Sequence, residues 1–285
     1  MNRRTFLRLS AGIAGGVACG GAWSTLVEPG WLQVTRTVIP VSGLPAAFNG
    51  FRLLLMTDIH HGPFVSRERI AEAVCRVNEE SPDMVILAGD YVIHSPEYIV
   101  PCMEELAHIR ADMCAVLGNH DHWEDPDLTS DELEETAGAR LLRNSGIFLE
   151  RDDARLRIWG VGDLWEDEQS LDGLRSDGYE GPVILVSHNP DYAEELPEGE
   201  VDLVLSGHTH GGQVVLPLIG APLLPSYFGQ KYRSGLVMNG STAVYVSRGV
   251  GVGSPPIRFN CRPELAVIEL RTNETGDGPG EDGQS

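Results

Sequence analysis

The sequence predicts an α/β fold in which two packed mixed β-sheets are flanked by helices. Three observations point there. Five short apolar runs alternate with amphipathic helical stretches. Each run closes on a small residue followed by a side chain able to bind a metal. Beyond residue 213 the chain reads as strands and turns with little helix, which predicts a second sheet packed on the first.

The elements follow in order. The chain starts with Arg3-Arg4-Thr5-Phe6-Leu7-Arg8 and a weakly apolar stretch to Leu26, interrupted by glycines at 12, 15, 16, 20 and 21. This start resembles a twin-arginine export signal, which makes the export machinery a partner. The alternative is an N-terminal membrane anchor, since the run is close to the shortest that spans a bilayer. Residues 1–30 are therefore read as signal or anchor. The placement that follows is the periplasm or the outer face of the cytoplasmic membrane, with a membrane-associated cytoplasmic protein as the alternative.

One domain is expected over 31–270. Residues 31–39 read as a strand. Runs 53–57, 84–89, 114–118, 183–187 and 203–207 are too short for globular helices and rich in β-formers, so each is a buried strand. They end at Asp58, Asp90, Asn119, His188 and His208. Between them, Ser66 can cap a helix with Ile70, Val74 and Val77 on one face. A second helix is expected over 97–110. A third is expected behind a Thr129–Glu132 capping box, and a short one over 191–196. Runs 213–218, 235–237, 243–247 and 265–270 supply the second sheet. Residues 271–285, rich in glycine and acid, read as a disordered tail.

Composition bounds the function. With 285 residues, 42% of them apolar and 22% charged, the chain can bury a substantial core. A net charge of −21 repels DNA, RNA and anionic lipid headgroups, which argues against electrostatic binding of nucleic acid. An anionic substrate stays open, because bound divalent cations reverse the local field. The five cysteines form no CxxC pair and no zinc-finger spacing. Cys75 and Cys114 read as small buried apolar residues, and a Cys102–Cys114 disulfide is compatible with an oxidising compartment.

In an open α/β sheet, ligands sit beyond the carboxyl ends of the strands. Five strand ends delivering Asp, Asp, Asn, His and His to one edge therefore make a site. Asp58 and His60 are two apart, as are His208 and His210, so on extended backbone each pair faces one side. Asp90, central in the set, is the natural carboxylate bridge. Mixed oxygen and nitrogen donors suit Mn, Fe or Zn better than Ca or Mg.

The ordered motifs Asp58-Ile59-His60, Gly89-Asp90, Gly118-Asn119-His120-Asp121, Ser187-His188 and Gly207-His208-Thr209-His210 resemble the calcineurin-like metallophosphoesterase family. The resemblance covers about residues 50–270. It implies two divalent cations, one on Asp58, His60 and His210, the other on Asn119, His188 and His208, with Asp90 shared. It implies a hydrolase in which a hydroxide between the metals attacks phosphorus, His120 serves the leaving oxygen and Asp121 orients His120. His61, Arg248 and Arg258 are further candidates for substrate contact, with loop shaping and anchoring of the second sheet as the alternatives. His94, His108 and His122 read as structural or surface residues.

The stretch from Val214 to Phe228 is strongly apolar, carries three prolines and follows the metal-binding histidines directly. It is expected either to fold back on the core or to form an apolar wall beside the metals, suited to an acylated substrate or a bilayer. Together with Arg233, Arg258 and Pro263-Glu264 it resembles a bacterial membrane-associated branch of the family. That resemblance implies phosphodiester or pyrophosphate hydrolysis in a lipid-linked phosphoester such as UDP-2,3-diacylglucosamine, an intermediate of lipid A synthesis. The alternatives are a broad-specificity envelope phosphatase or phosphodiesterase, and a metal-stabilised binding module without turnover.

Overall fold

The first apolar runs pair side by side in one sheet because each alternates its side chains between two buried faces. The computed structural model describes residues 2–273. The first sheet combines β1 (Gln33–Val41), β2 (Arg52–Met56), β3 (Met84–Ala88), β4 (Met113–Val116), β5 (Arg140–Leu141) and the late strand β12 (Glu264–Thr272). Its order is β1-β12-β2-β3-β4-β5, with β2 to β5 parallel and β12 antiparallel to β2. The second sheet combines β6 (Ser145–Arg151), β7 (Ala154–Gly160), β8 (Val183–Val186), β9 (Leu203–Ser206), β10 (Gly235–Asn239) and β11 (Thr242–Val246). Its order is β10-β11-β9-β8-β7-β6, parallel from β11 to β7 and antiparallel at both ends.

Strand alternation sorts the core into layers. Leu53 and Leu55 of β2 face Ile158, Ile184, Val186 and Leu205 across the gap between the sheets. Leu54 and Met56 point the other way, onto α2 (Arg67–Glu80), α3 (Ile99–Leu106) and α5 (Pro126–Glu135). Ile70, Val74 and Val77 of α2 fill that layer, as their spacing predicts. The outer face of the second sheet is covered by short 3₁₀ turns at Pro190–Glu194 and Gly229–Tyr232 and by loops carrying Leu174.

Several expected elements change. The strands ending at His188 and His208 lie in the second sheet, not beside β2 to β4, because β8 pairs with β7 and β9 with β11. Residues 265–270 belong to the first sheet, where β12 fills the place between β1 and β2. Residues 213–218 make only isolated bridges, because Gln213 and Leu218 adopt left-handed backbone (φ 54° and 67°) around Pro217. The helix expected over 97–110 is a 3₁₀ turn at Pro96–Tyr98 followed by α3. Asp125, not Thr129, caps α5, and the Thr129 hydroxyl donates to the Asp125 carbonyl. The short helix expected over 191–196 is the 3₁₀ turn at Pro190–Glu194. Cys75 is exposed, and Cys102 and Cys114 are buried free thiols.

At the N-terminus α1 (Arg3–Ala22) starts at Asn2, whose side chain accepts the Thr5 amide, and is largely exposed. Among the described residues no helix is long and apolar enough to cross a membrane. The domain grips the chain before residue 31. Arg258 donates its amide to the Ser24 carbonyl at 2.9 Å, and Glu28, itself buried, accepts the Cys261 amide. At the other end β12 takes residues 271–272 into the sheet, and the rest of the expected tail, 274–285, lies outside the described residues.

Candidate metal centre

Each ligand-bearing strand stops two or three residues before its ligand, and the chain then turns sharply. Asp58, His60, Asp90, His208 and His210 all have positive φ, between 50° and 66°. The pairs therefore do not share a side through extended backbone, as the spacing suggests. They share it through successive tight turns, conformations that side-chain-bearing residues adopt only when their surroundings hold them. Hydrogen bonds between loops provide that hold. The amide of Asp58 donates to the Gly89 carbonyl and that of His60 to the Asp90 carbonyl, both at 3.0 Å. The amide of His208 donates to Asp58 Oδ1 at 3.0 Å, which ties the second sheet to the first.

The glycines before Asp90, Asn119 and His208 are required by this crowding. A Cβ on Gly118 would lie 2.3 Å from Asp90 Oδ1, and one on Gly207 would lie 2.3 Å from Asp58 Oδ2. Neither carboxylate can give way without leaving its place.

The side chains gather into two clusters. In the first, Asp58 Oδ1 lies 3.3 Å from His210 Nε2 and 4.0 Å from His60 Nε2, and the two imidazole nitrogens are 2.8 Å apart. In the second, His188 Nε2 lies 3.3 Å from Asp90 Oδ2 and 3.3 Å from His208 Nδ1. Asp90 Oδ2 is also 3.4 Å from His60 Nε2, so this carboxylate stands between the clusters. Asp58, His60 and His210 form one group with metal-binding reach, and Asp90, His188 and His208 another. The Asn119 side-chain oxygen is buried with no hydrogen-bond partner among the described residues. His188 Nδ1 meets the Ala88 carbonyl at 2.7 Å, which fixes a proton there and turns Nε2 toward Asp90 and His208.

The donor set fits two divalent cations. Protein groups alone leave it electrostatically frustrated. Burial pushes Asp58 up to about 7, with the Asp90 charge adding to the effect. Burial brings His60 and His208 down to about 3. Burial also works against charge on His188, yet the adjacent Asp90 carboxylate holds its pKa well above that of ordinary histidine. Imidazole nitrogens 2.8 Å apart in a dry site, and an orphaned Asn oxygen, are satisfied together by cations.

His120 sits at the cluster's open side, half-buried, its ring edge-on to that of His60 with centroids 4.7 Å apart. Its amide donates to Asp90 Oδ1 at 2.9 Å. Asp121 does not orient the His120 ring. Its carboxylate is consumed by three backbone amides, those of Asp90, Tyr91 and Gly118, each at 2.8 Å.

The three candidate substrate contacts are placed elsewhere. His61 is buried, with Nδ1 on the Val65 carbonyl at 2.8 Å. Arg258 is fully buried behind His210, and its guanidinium donates to the carbonyls of Arg248, Gly249, Gly251 and Cys261. Arg248 lines a different cavity and donates to the Arg262 carbonyl. The Arg258 donors serve backbone carbonyls, and Arg248 pairs with the Glu264 carboxylate at 3.3 Å. His94 and His108 are exposed and His122 half-buried, all outside the clusters.

The clusters open into a cavity of about 620 Å³. One side carries Asp90, Asn119, His120, His208 and His210; the other is an apolar wall of Val214, Pro222, Leu223, Leu224 and Ile257. Two lining tryptophans escaped the sequence reading. Trp165 stands edge-on to His208 and Trp123 to His120, with centroids 4.4 and 4.5 Å apart. Trp123 Nε1 donates to Glu166 at 2.7 Å, joining α4 (Asn119–Glu124) to the loop after β7. Trp123 follows two residues after a recognised motif, which was its one available signal; Trp165 had none.

Residues 51–212 match the family described as calcineurin-like phosphoesterase. YkuE, an uncharacterized metallophosphoesterase of Bacillus subtilis, is 31% identical, covering 95% of this chain and 98% of its own. The phosphodiesterase YaeI of Escherichia coli is 31% identical over 95% of this chain and 99% of its own. A transmembrane protein with a metallophosphoesterase domain from Danio rerio is 32% identical over 84% of this chain and 57% of its own.

Proposed function

The chain belongs to the calcineurin-like phosphoesterase family and is a metal-dependent phosphoester hydrolase; from that premise we propose that it cleaves phosphodiester or pyrophosphate bonds in lipid-linked substrates of the cell envelope. The observation that carries this reading is the pairing of a cation site with an apolar wall in one cavity. A soluble phosphomonoester has no use for Val214, Leu223 and Leu224, whereas an acyl chain beside its phosphate does. The name of YaeI as a phosphodiesterase supports the same reaction.

Asp58, His60 and His210 would hold one cation and Asn119, His188 and His208 the other, with Asp90 standing between the two groups. When bound, the two cations supply Lewis acidity for in-line attack of water on phosphorus. Their identity among Mn, Fe and Zn follows from the donor set only as a class. The His120 ring, beside Asp90 and facing the cavity, donates an N–H to the oxygen of the departing group. Trp123 and Trp165 line the rim of the cavity.

The test compares the manganese-loaded full chain on bis-p-nitrophenyl phosphate, p-nitrophenyl phosphate, a diacylated phosphodiester and UDP-2,3-diacylglucosamine. Diesters should be cleaved faster than the monoester. An acylated substrate should gain about ten-fold or more in kcat/KM over its short-chain analogue, the worth of two buried methylenes at about 0.8 kcal/mol each. Equal rates on acylated and short diesters would sink the lipid-linked reading and leave a broad envelope phosphodiesterase.

The start Arg3-Arg4-Thr5-Phe6-Leu7-Arg8 supports export of the folded chain through the twin-arginine machinery, to the periplasm or the outer face of the cytoplasmic membrane. Changing Arg3 and Arg4 together to Lys should retain the protein in the cytoplasm; normal export of that variant would refute the address.

A further inference from the structure

Asp121 spends its carboxylate on three backbone amides, so the His120 ring lacks the partner that its motif assigns to it. Among the described residues no hydrogen bond reaches that ring; only the His120 amide is engaged. The setting of the ring has consequences, because His60, Asp90 and His120 together also lie within metal-binding reach. A ring free to turn there could give a nitrogen lone pair to a cation and withhold its N–H from the departing oxygen. What touches the ring is aromatic. It meets His60 at 88° with centroids 4.7 Å apart, and Trp123 at 63° with centroids 4.5 Å apart.

Trp123 follows His120 by three residues on the short helix α4, the spacing that makes two side chains neighbours on one helix face. Its indole is itself tied down, since Nε1 donates to Glu166 Oε1 at 2.7 Å. Glu166 comes from the loop after β7, in the other sheet, and the turn that presents it is built on a buried acid. Asp163 is 1% exposed, and its Oδ1 accepts the amides of Trp165 and Glu166 at 2.9 and 3.2 Å. The same turn sets Trp165 against His208, at 87° with centroids 4.4 Å apart. One turn of the second sheet thus braces a metal-binding histidine directly, and His120 through a single indole.

We propose that Trp123, pinned by Glu166, is the positioning residue that aims the His120 ring at the departing oxygen, the task that Asp121 does not perform. Neither Trp123 nor Glu166 touches the reacting atoms in this scheme; both act through His120. An edge-to-face aromatic pair favours one ring placement by a factor of about two to ten. A donor displaced by about 1 Å forfeits up to about a hundred-fold in rate. The contact therefore counts most where the departing oxygen is a poor leaving group and depends on the donor. This rests on the reading of His120 as the group that serves the leaving oxygen, and it names what holds that group in place.

The test reads the ring first and the rate second. In the zinc-loaded full chain with ¹³C-labelled histidine rings, His120→Ala identifies the His120 signal by NMR. Glu166→Ala keeps both rings but frees the indole, and should shift or broaden that signal while the other histidine signals stay, which also shows that the variant folds. Glu166→Gln still offers Nε1 an oxygen and should restore the signal. A His120 signal unmoved by Glu166→Ala would overturn the proposal. The rate is kcat of the manganese-loaded chain on phenyl methyl phosphate and on p-nitrophenyl methyl phosphate. Trp123→Leu should lose about ten-fold on the phenyl ester, whose oxygen leaves poorly, and several-fold less on the p-nitrophenyl ester. In a His120→Ala background the same change should cost no more than about two-fold on either. A ten-fold loss that persists in that background, or a raised KM with kcat unchanged, would make Trp123 a substrate contact and overturn its positioning role. Failure of the underlying reading is separate: His120→Ala would then slow both esters equally while Glu166→Ala still moves the ring signal, which strikes the leaving-oxygen role and leaves the restraint of the ring standing.

Discussion

Asp121 Oδ2 accepts the backbone amide of Asp90 at 2.8 Å, so the acid that follows the Asn119-His120 pair braces the shared carboxylate's backbone and not its neighbour's ring. Asp121→Asn keeps the shape but turns an NH₂ toward one or more of three buried amides. It should cost about 1–3 kcal/mol of stability and weaken metal retention. Thermal melting with and without manganese reads the first, and metal analysis after dialysis reads the second. An unchanged melting temperature with a lowered kcat would instead show that Asp121 acts through His120.

Gly118→Ala tests the crowding. The added methyl would sit 2.3 Å from Asp90 Oδ1 and 2.7 Å from the Asp90 amide nitrogen, so the carboxylate must shift. Affinity for the cations should fall about ten- to hundred-fold, as when a ligand's supporting contacts are lost. Titration with manganese monitored by calorimetry gives the number; wild-type affinity would show that Asp90 is free to move.

Cation uptake should release protons. Without cations, His188 holds its proton well above the ordinary histidine range, because Asp90 outweighs burial, and burial pushes Asp58 up to about 7. Both protons must leave before the donors can bind, so affinity rises with pH through neutrality and falls as pH drops below about 7. Calorimetry in buffers of different ionisation enthalpy measures the release. An apparent binding enthalpy that does not change with buffer would contradict it.

Much of the site was legible because five of the seven candidate ligands follow a short β-rich run and a small residue, a pattern local to five or six positions. The glycines in that pattern have a physical cause, since Gly118 and Gly207 leave room for Asp90 and Asp58. Sheet membership was not legible. The runs ending at Asp58 and at His188 are alike as sequences, and only pairing with distant partners separates β2 from β8. The hairpin of β6 and β7 went unread although Ile147, Leu149, Leu156 and Ile158 alternate around a turn at Asp152-Asp153, because Glu150, Arg151, Arg155 and Arg157 interrupt the continuous apolar run that marks the buried strands. The two readings of Arg258, substrate contact and anchoring, could not be separated for a related reason. A buried guanidinium serving carbonyls and an exposed one serving phosphate look the same in a sequence.

The ligands come from both halves of the sandwich: Asp58, His60, Asp90 and Asn119 from loops of one sheet, His188, His208 and His210 from the other. A cation pair held this way is a rivet through two plates. Chelation should loosen this rim first while the greasy interior stays shut, so amide exchange in the turns at Asp58 and His208 should quicken well before β2 or β9 opens. Occupancy should then double as a latch, with the seam tighter in the loaded chain than in the chelated one.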